Sequence, residues 1–276
     1  MVLRRLDAEL TRRGLARSRD QARVLITAGN VLVRGTVALK PATQVDSDAS
    51  IVVNDGHEGA HYVSRGAHKL IGALEAFTDF KVAGRDGLDA GASTGGFTQV
   101  LLERGISRVL AVDVGYGQLA WPLRGDPRVH LMERTNVRTL SAEKLPWLAS
   151  VVVADLSFIS LQVVLPALVA CSAPNADYLV MVKPQFEVGK EAVGAGVVRD
   201  PELRAGAVRS VALAATGLGL RVRGVTASPL PGPAGNVEYF LWLEQVAPGD
   251  RDNEDNGLSA AALDVAIRTA VEEGPA

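Results

Sequence analysis

The chain has 276 residues, is 47% hydrophobic and 22% charged, contains one cysteine and carries a formal net charge of −2. That length fits one large domain plus a small one, and the lone Cys171 excludes an internal disulfide and a cysteine-based zinc site while suiting a reducing cytoplasm. The longest apolar stretches, residues 151–154 and 161–171, are too short or too interrupted to span a bilayer, and the N-terminus has no hydrophobic signal core, so a cytoplasmic protein with no membrane partner and no metal is expected. Charge is unevenly placed. Residues 1–40 hold nine Arg or Lys against Asp7, Glu9 and Asp20, and from Glu244 onward eight acids face two arginines. The basic end is a candidate polyanion surface, and residues 247–276 read as an acidic, solvated tail.

In chain order, Leu3, Leu6 and Leu10 recur at helical spacing and Gly14 stops that helix. Ser18 with Gln21 three residues later is a capping-box pattern; Ala22, Leu25 and Ile26 supply the apolar stripe, and Gly29 the stop. Val31 and Val33, a turn at Arg34-Gly35, then Val37 and Leu39 predict a hairpin, with Val45 and residues 51–53 as later strands. This helix, helix, hairpin order, carrying Arg5-Leu6-Asp7, Ser18-Arg19, Ala22, Gly29, Val31, Val33, Gly35 and Lys40-Pro41, resembles the S4 RNA-binding domain over residues 1–59. The resemblance implies that the two helices present Arg4, Arg5, Arg17 and Arg19 to a phosphate backbone, with Lys40 nearby.

Residues 54–60 are polar and glycine-bearing, and a linker over 60–64 is expected to lead into a second domain over 65–246, opened by Tyr62-Val63-Ser64-Arg65-Gly66-Ala67-His68-Lys69. Leu70, Leu74 and Phe77 continue a helix. From Leu88 onward strand and helix patterns alternate: strands at 109–113, 129–132, 151–155, 178–183, 220–225 and 239–243, and helices including 161–170 and 201–216. Such alternation predicts a parallel sheet covered on both faces. Only residues 228–236 join the last two strands, too few for a crossover helix, so these should form an antiparallel hairpin at the sheet edge. A parallel sheet ending this way resembles the class I, Rossmann-like methyltransferase fold, which makes the whole chain α/β with a small α+β domain in front.

The segment Asp89-Ala90-Gly91-Ala92-Ser93-Thr94-Gly95-Gly96-Phe97 places a small-residue turn between a short strand and a helix, a cradle for a nucleotide-type cofactor. The next strand ends in Asp113, where a ribose hydroxyl pair would be bound. The glycines are not spaced as G-x-G-x-x-G, and Asp89 beside the turn repels a pyrophosphate but suits a cationic ammonium or sulfonium. S-adenosylmethionine therefore fits better than a dinucleotide, with residues 91–95 on its methionine portion and Asn136-Val137, after the third strand, expected at the adenine. For Asn136 a plain turn role and for Val137 a plain core role stand as equal alternatives.

Asp155, Lys183 and Glu238 fall at or next to strand ends, where open α/β sheets bind ligands. With Lys69 they make a Lys, Asp, Lys, Glu set like that of the FtsJ-type ribose 2′-O-methyltransferases, and Asp155-Leu156-Ser157-Phe158 and Val182-Lys183-Pro184-Gln185-Phe186-Glu187 look like that family's signature segments. Together with the S4-like part, the chain resembles the TlyA family of ribosomal RNA cytidine 2′-O-methyltransferases from about residue 3 to residue 244. The resemblance implies S-adenosylmethionine as cofactor and ribosomal RNA or a ribosomal subunit as partner, with a monomer the favoured state. The chemistry of the set assigns Lys183 as acceptor of the hydroxyl proton, with Asp155 as its orienting partner near the sulfonium and the alternative acceptor, and Lys69 and Glu238 as positioners of the substrate ribose. Arg65 and Lys190 are expected to touch RNA, the latter from a glycine-bearing loop after Lys183 that reads as a lid. The linker departs from the family: Ala60-His61 stands where relatives often carry an arginine and a tryptophan. The rival readings are a non-catalytic RNA-binding assembly factor, a cytolysin, since TlyA relatives have carried the label haemolysin, and an NAD-dependent oxidoreductase, which the missing glycine spacing disfavours.

Overall fold

The computed structural model describes residues 3–275 apart from 17, 28, 54–61, 190–192, 194–195 and 247–256. The N-terminal unit runs β1 (Arg4–Arg5), α1 (Leu6–Arg12), α2 (Arg19–Thr27), β2 (Val31–Val33), β3 (Thr36–Val37), β4 (Gln44–Val45) and β5 (Ile51–Val53). Leu6, Leu10, Ala22, Ile26, Val31, Val45 and Ile51 bury together as its core. Ser18 Oγ accepts the Gln21 N–H at 3.2 Å, the α2 cap that its spacing predicts. The first helix begins later than expected: Leu3 is exposed, and Arg4 and Arg5 pair antiparallel with Val45 and Gln44. The cause is tertiary. The carbonyls of Thr43 and Pro41 accept the N–H groups of Leu6 and Asp7, which satisfies the first helical donors from outside and sets the helix start at Leu6.

The larger unit contains α3 (Gly66–Ala76), β6 (Asp86–Ala90), α4 (Gly96–Glu103), β7 (Arg108–Val112), α5 (Trp121–Arg124), β8 (Val129–Met132), β9 (Ala149–Ala154), α6 (Leu161–Ala170), β10 (Ser172–Val182), α7 (Pro184–Glu187), α8 (Pro201–Gly217), β11 (Leu220–Ala227), β12 (Tyr239–Gln245) and α9 (Ala260–Glu273). Its seven strands are ordered β11-β12-β10-β9-β6-β7-β8. β6, β7, β8, β9 and β10 are parallel, and one apolar core lies on each face of the sheet. The closing pair β11 and β12 is antiparallel as expected, but β12 sits inside, between β10 and β11. Tyr239, Phe240, Leu241 and Leu243 are buried on both faces, a pattern that needs a neighbour on each side, whereas β11 alternates buried and half-buried residues and takes the edge.

The expected acidic tail is corrected by α9, whose Leu263, Ile267, Ala270 and Val271 bury against the main core. An i, i+4, i+7, i+8 apolar stripe was concealed by the acidic composition of the segment. Among the described residues, no helix is long and apolar enough to cross a membrane.

Candidate active site

The turn after β6 is shaped by contact with its neighbours. Gly91 has φ +88°, and a Cβ there would lie 2.5 Å from the Asp155 carbonyl oxygen, so the turn rests on the end of β9. At Gly96 a Cβ would fall 2.3 Å from Ser64 Oγ and 2.9 Å from the Ala67 nitrogen, so α4 and the start of α3 meet through a position only glycine can fill. Asp113 fastens the turn from the next strand: its two carboxylate oxygens accept the N–H groups of Ser93 at 2.8 Å and Gly115 at 2.7 Å. Each oxygen keeps a second lone pair for a ribose hydroxyl.

Asp89 lies beneath this turn rather than at its surface. It is fully buried, one oxygen accepts the Thr98 hydroxyl at 2.6 Å, and Oδ1 has no hydrogen-bond partner. Burial pushes its carboxyl up to about 7, opposed by the Thr98 hydrogen bond and assisted by the nearby charges of Asp155 and Asp113. A cation above the turn would favour the charged form of this orphaned buried acid, and a pyrophosphate would oppose it, so with two further acids beside it the turn fits a cationic cofactor such as S-adenosylmethionine. The expected adenine pair divides: Asn136 Oδ1 caps its own short helical turn by accepting the Arg138 N–H at 3.0 Å, and Val137 is buried in the core.

Between the turn and α3 opens a cleft of about 310 Å³, lined by Arg65, Lys69, Thr94, Asp155, Ser157 and Lys183 among others, with Leu15 and Val53 of the N-terminal unit on its wall. Residues 91–94 line it, while Gly95, in a left-handed conformation, serves as the α4 N-cap. The four charged residues of the expected set form two ion pairs. Lys183 Nζ is 2.5 Å from Asp155 Oδ1 and donates to Ser157 Oγ at 3.0 Å; Lys69 pairs with Glu238. Both lysines are more than nine-tenths buried. Glu238, expected at the substrate ribose, does not line the cleft: it is fully buried, and the loop from Ser228 closes over it, with the Ser228 N–H bonded to the Glu238 carbonyl at 2.8 Å. Its carboxylate holds Lys69 instead.

Three features escaped the sequence reading. Ser157 shares the Lys183 ammonium. Phe158 is 90% exposed at φ +65°, its ring 5.3 Å from that of Phe186. Glu187 bonds the start of α6 rather than solvent. All three lie in the quoted signature segments, but nothing in their spacing says what they face.

The expected RNA-contacting residues are spread differently from the helical display foreseen. Arg4 and Arg5 lie on β1. Buried Asp7 receives Arg5, Arg19 and Arg23, and buried Glu9 receives Arg4, Arg12 and Arg13. Hydrogen bonds from Arg5 and from Arg12 hold the two carboxyls well below their usual range, each at about 2. Lys40 is exposed, and Arg65 donates to the Pro231 carbonyl at 3.4 Å beside the cleft. Arg17 and Lys190 lie outside the described residues, as do Ala60 and His61 of the linker. Its last part docks: the Val63 N–H bonds Gln99 Oε1 at 2.9 Å and the Tyr62 ring meets His68 edge-on.

Two family models match the chain. The FtsJ-like methyltransferase family model matches residues 62–245 and the S4 domain model residues 4–51. The chain is 60% identical over 273 residues to the 16S/23S rRNA (cytidine-2′-O)-methyltransferase TlyA of Mycobacterium tuberculosis, covering 98% of each chain. It is 36% identical to Hemolysin A of Brachyspira hyodysenteriae, covering 86% of this chain and 98% of the relative. A Streptococcus thermophilus protein solved under the name of a hemolysin superposes with a TM-score of 0.76 at 35% identity, covering 99% of this chain and 97% of that one.

Proposed function

Because the chain belongs to the TlyA family, in which an S4 domain precedes an FtsJ-like methyltransferase domain, we propose that it transfers a methyl group from S-adenosylmethionine to a cytidine ribose 2′-hydroxyl of ribosomal RNA. The observation that carries this reading is the cleft in which a buried Lys183, paired with Asp155, and a buried Lys69 face the glycine turn, with the arginine-rich unit forming part of the wall. Burying a lysine is costly, and two in one cleft are hard to account for as packing.

A ribose hydroxyl is a weak nucleophile, so the chain must align it and take its proton. When bound, S-adenosylmethionine supplies an electrophilic methyl carbon on a sulfonium. Residues 91–94 form the wall for its methionine part, and Asp113 offers lone pairs to its ribose. Once its ammonium has released one proton to solvent, Lys183 receives the 2′-hydroxyl proton at Nζ, while Asp155 and Ser157 orient that nitrogen. Lys69, held by Glu238, presents an ammonium to the substrate side of the cleft. The exposed Phe158 ring offers a stacking face to a base turned out of its helix. The arginines around Asp7 and Glu9 engage the phosphate backbone of a ribosomal subunit, in the cytoplasm.

Mapping ribose methylation in ribosomal RNA from cells with and without the protein, alongside tritiated methyl transfer by the purified chain, tests the proposal. One or more cytidine 2′-O-methyl marks should depend on the protein. Methylation of a base, or no transfer to ribosomal RNA, overturns it.

A further inference from the structure

Glu187 closes the two loops that carry the reacting groups onto each other. It ends α7, one helical turn after Lys183, and the intervening segment is stiff: Pro184 fixes the first helical position, and the Phe186 and Val188 N–H groups bond the carbonyls of Lys183 at 2.9 Å and Pro184 at 3.0 Å. Its carboxylate crosses to the segment that begins with Asp155. One oxygen accepts the Ser160 hydroxyl at 2.6 Å, the other the Leu161 N–H at 2.7 Å, and Gln162 Nε2 approaches at 3.4 Å. Ser160 already caps α6 in the ordinary way, accepting the Gln162 N–H at 3.2 Å. The second acceptor therefore comes from 26 residues away, at a helix N-terminus that favours negative charge. Between this anchor and the Lys183–Asp155 pair lies the third cross-link, Phe158 against Phe186.

We infer that Glu187 is a positioning residue for methyl transfer: by clasping residues 160–162 it sets where Lys183 stands relative to Asp155 and Ser157, and it holds the exposed Phe158 ring beside them, against Phe186. The inference rests on the proposed roles of Lys183 and Asp155. Glu187 itself does not line the cleft, so its removal takes away no direct contact with cofactor or RNA.

The test is single-turnover methyl transfer by the full chain with saturating ribosomal RNA and S-adenosylmethionine, together with titrations of both and thermal unfolding. Glu187→Ala should slow transfer by about tenfold to a hundredfold, the cost of misplacing a reacting group by about an ångström, with both affinities within about twofold of wild type. Glu187→Gln keeps one acceptor oxygen and should fall between. If Glu187→Ala does not fold, Glu187→Gln and Ser160→Ala supply the same comparison. In a Lys183→Arg background the Glu187 substitution should add little, because it acts through Lys183. Wild-type rates in Glu187→Ala, Glu187→Gln no better than alanine, or full additivity with Lys183→Arg each overturn the inference. Absence of transfer by the wild-type chain instead overturns the enzymatic reading, and a near-normal Lys183→Arg overturns the base assignment alone.

Discussion

The two units of this protein use ion pairs in opposite ways. In the N-terminal unit each of two buried acids is shared by three arginines, several of them half-exposed, so positive charge is in excess and faces outward. In the cleft each of two buried lysines has one carboxylate, so charge is nearly balanced and hidden. The first arrangement suits recognition of a phosphate backbone, for which many oriented guanidiniums matter more than any one. The second suits chemistry, for which a single amine must sit at one place in a water-poor site.

The largest expected effect tests the one-to-one side of this contrast. Lys183→Arg keeps the ion pair with Asp155 but removes an accessible neutral base, so single-turnover transfer should fall by about a hundredfold to ten-thousandfold with cofactor affinity near wild type. A rate close to normal would make Lys183 a structural cation and shift the proton to Asp155.

Next comes Asp113→Ala, which removes both the turn fastening at Ser93 and the lone pairs offered to the cofactor ribose. Isothermal titration should show S-adenosylmethionine binding weakened by about 1–3 kcal/mol. Unchanged affinity takes Asp113 out of the site.

Asp7→Asn sharpens the comparison from the other side. It makes the basic unit more positive, so attraction by net charge alone would tighten RNA binding. If Asp7 acts by orienting Arg5, Arg19 and Arg23, binding should weaken instead, by about threefold to tenfold, within the span of one weakened charge-assisted hydrogen bond. A filter-binding salt titration decides by the sign of the change.

The remaining effect is on stability alone, and the two units should respond to pH in opposite directions. Asp7 and Glu9, lowered to about 2, contribute stability that is complete above the ordinary carboxyl range near pH 4 and is lost as pH falls toward 2. Asp89 is raised to about 7, so the folded state keeps a proton that the unfolded chain releases near pH 4. Stability of the larger unit should therefore decline as pH rises from about 4 to 7 and level off above. Thermal unfolding of Asp89→Asn across that range should lack the decline; an unaltered slope would place its cause elsewhere.

Local chemistry along the chain was enough to place the glycine turn and the candidate site residues, and the likeness of the segments around Asp155 and Lys183 to FtsJ-type enzymes carried the methyltransferase reading. The glycine turn after an apolar strand, the acid ending the next strand, and Lys183 and Asp155 at strand ends are all features of neighbouring residues, for which period and turn propensity act within a few positions. The limits of α6 and β8 were also readable, since both are bounded by strong local signals. Arg4 and Arg5 show where that reading stops. The helical spacing of Leu3, Leu6 and Leu10 spans them, but their pairing with Val45 and Gln44 and the capping of the next residues by the carbonyls of residues 41 and 43 outweigh a weak propensity.

What only the tertiary structure decided is who faces whom. The division of four charged residues into two ion pairs, the burial of Glu238 behind Lys69 and of Asp89 beneath its turn, the presence of Leu15 and Val53 on the cleft wall, and the docking of α9 under its acidic surface each join segments far apart in the chain. Such contacts are chosen by shape, desolvation and the requirement that every buried charge find a partner, and these act between surfaces that exist only once the chain has folded.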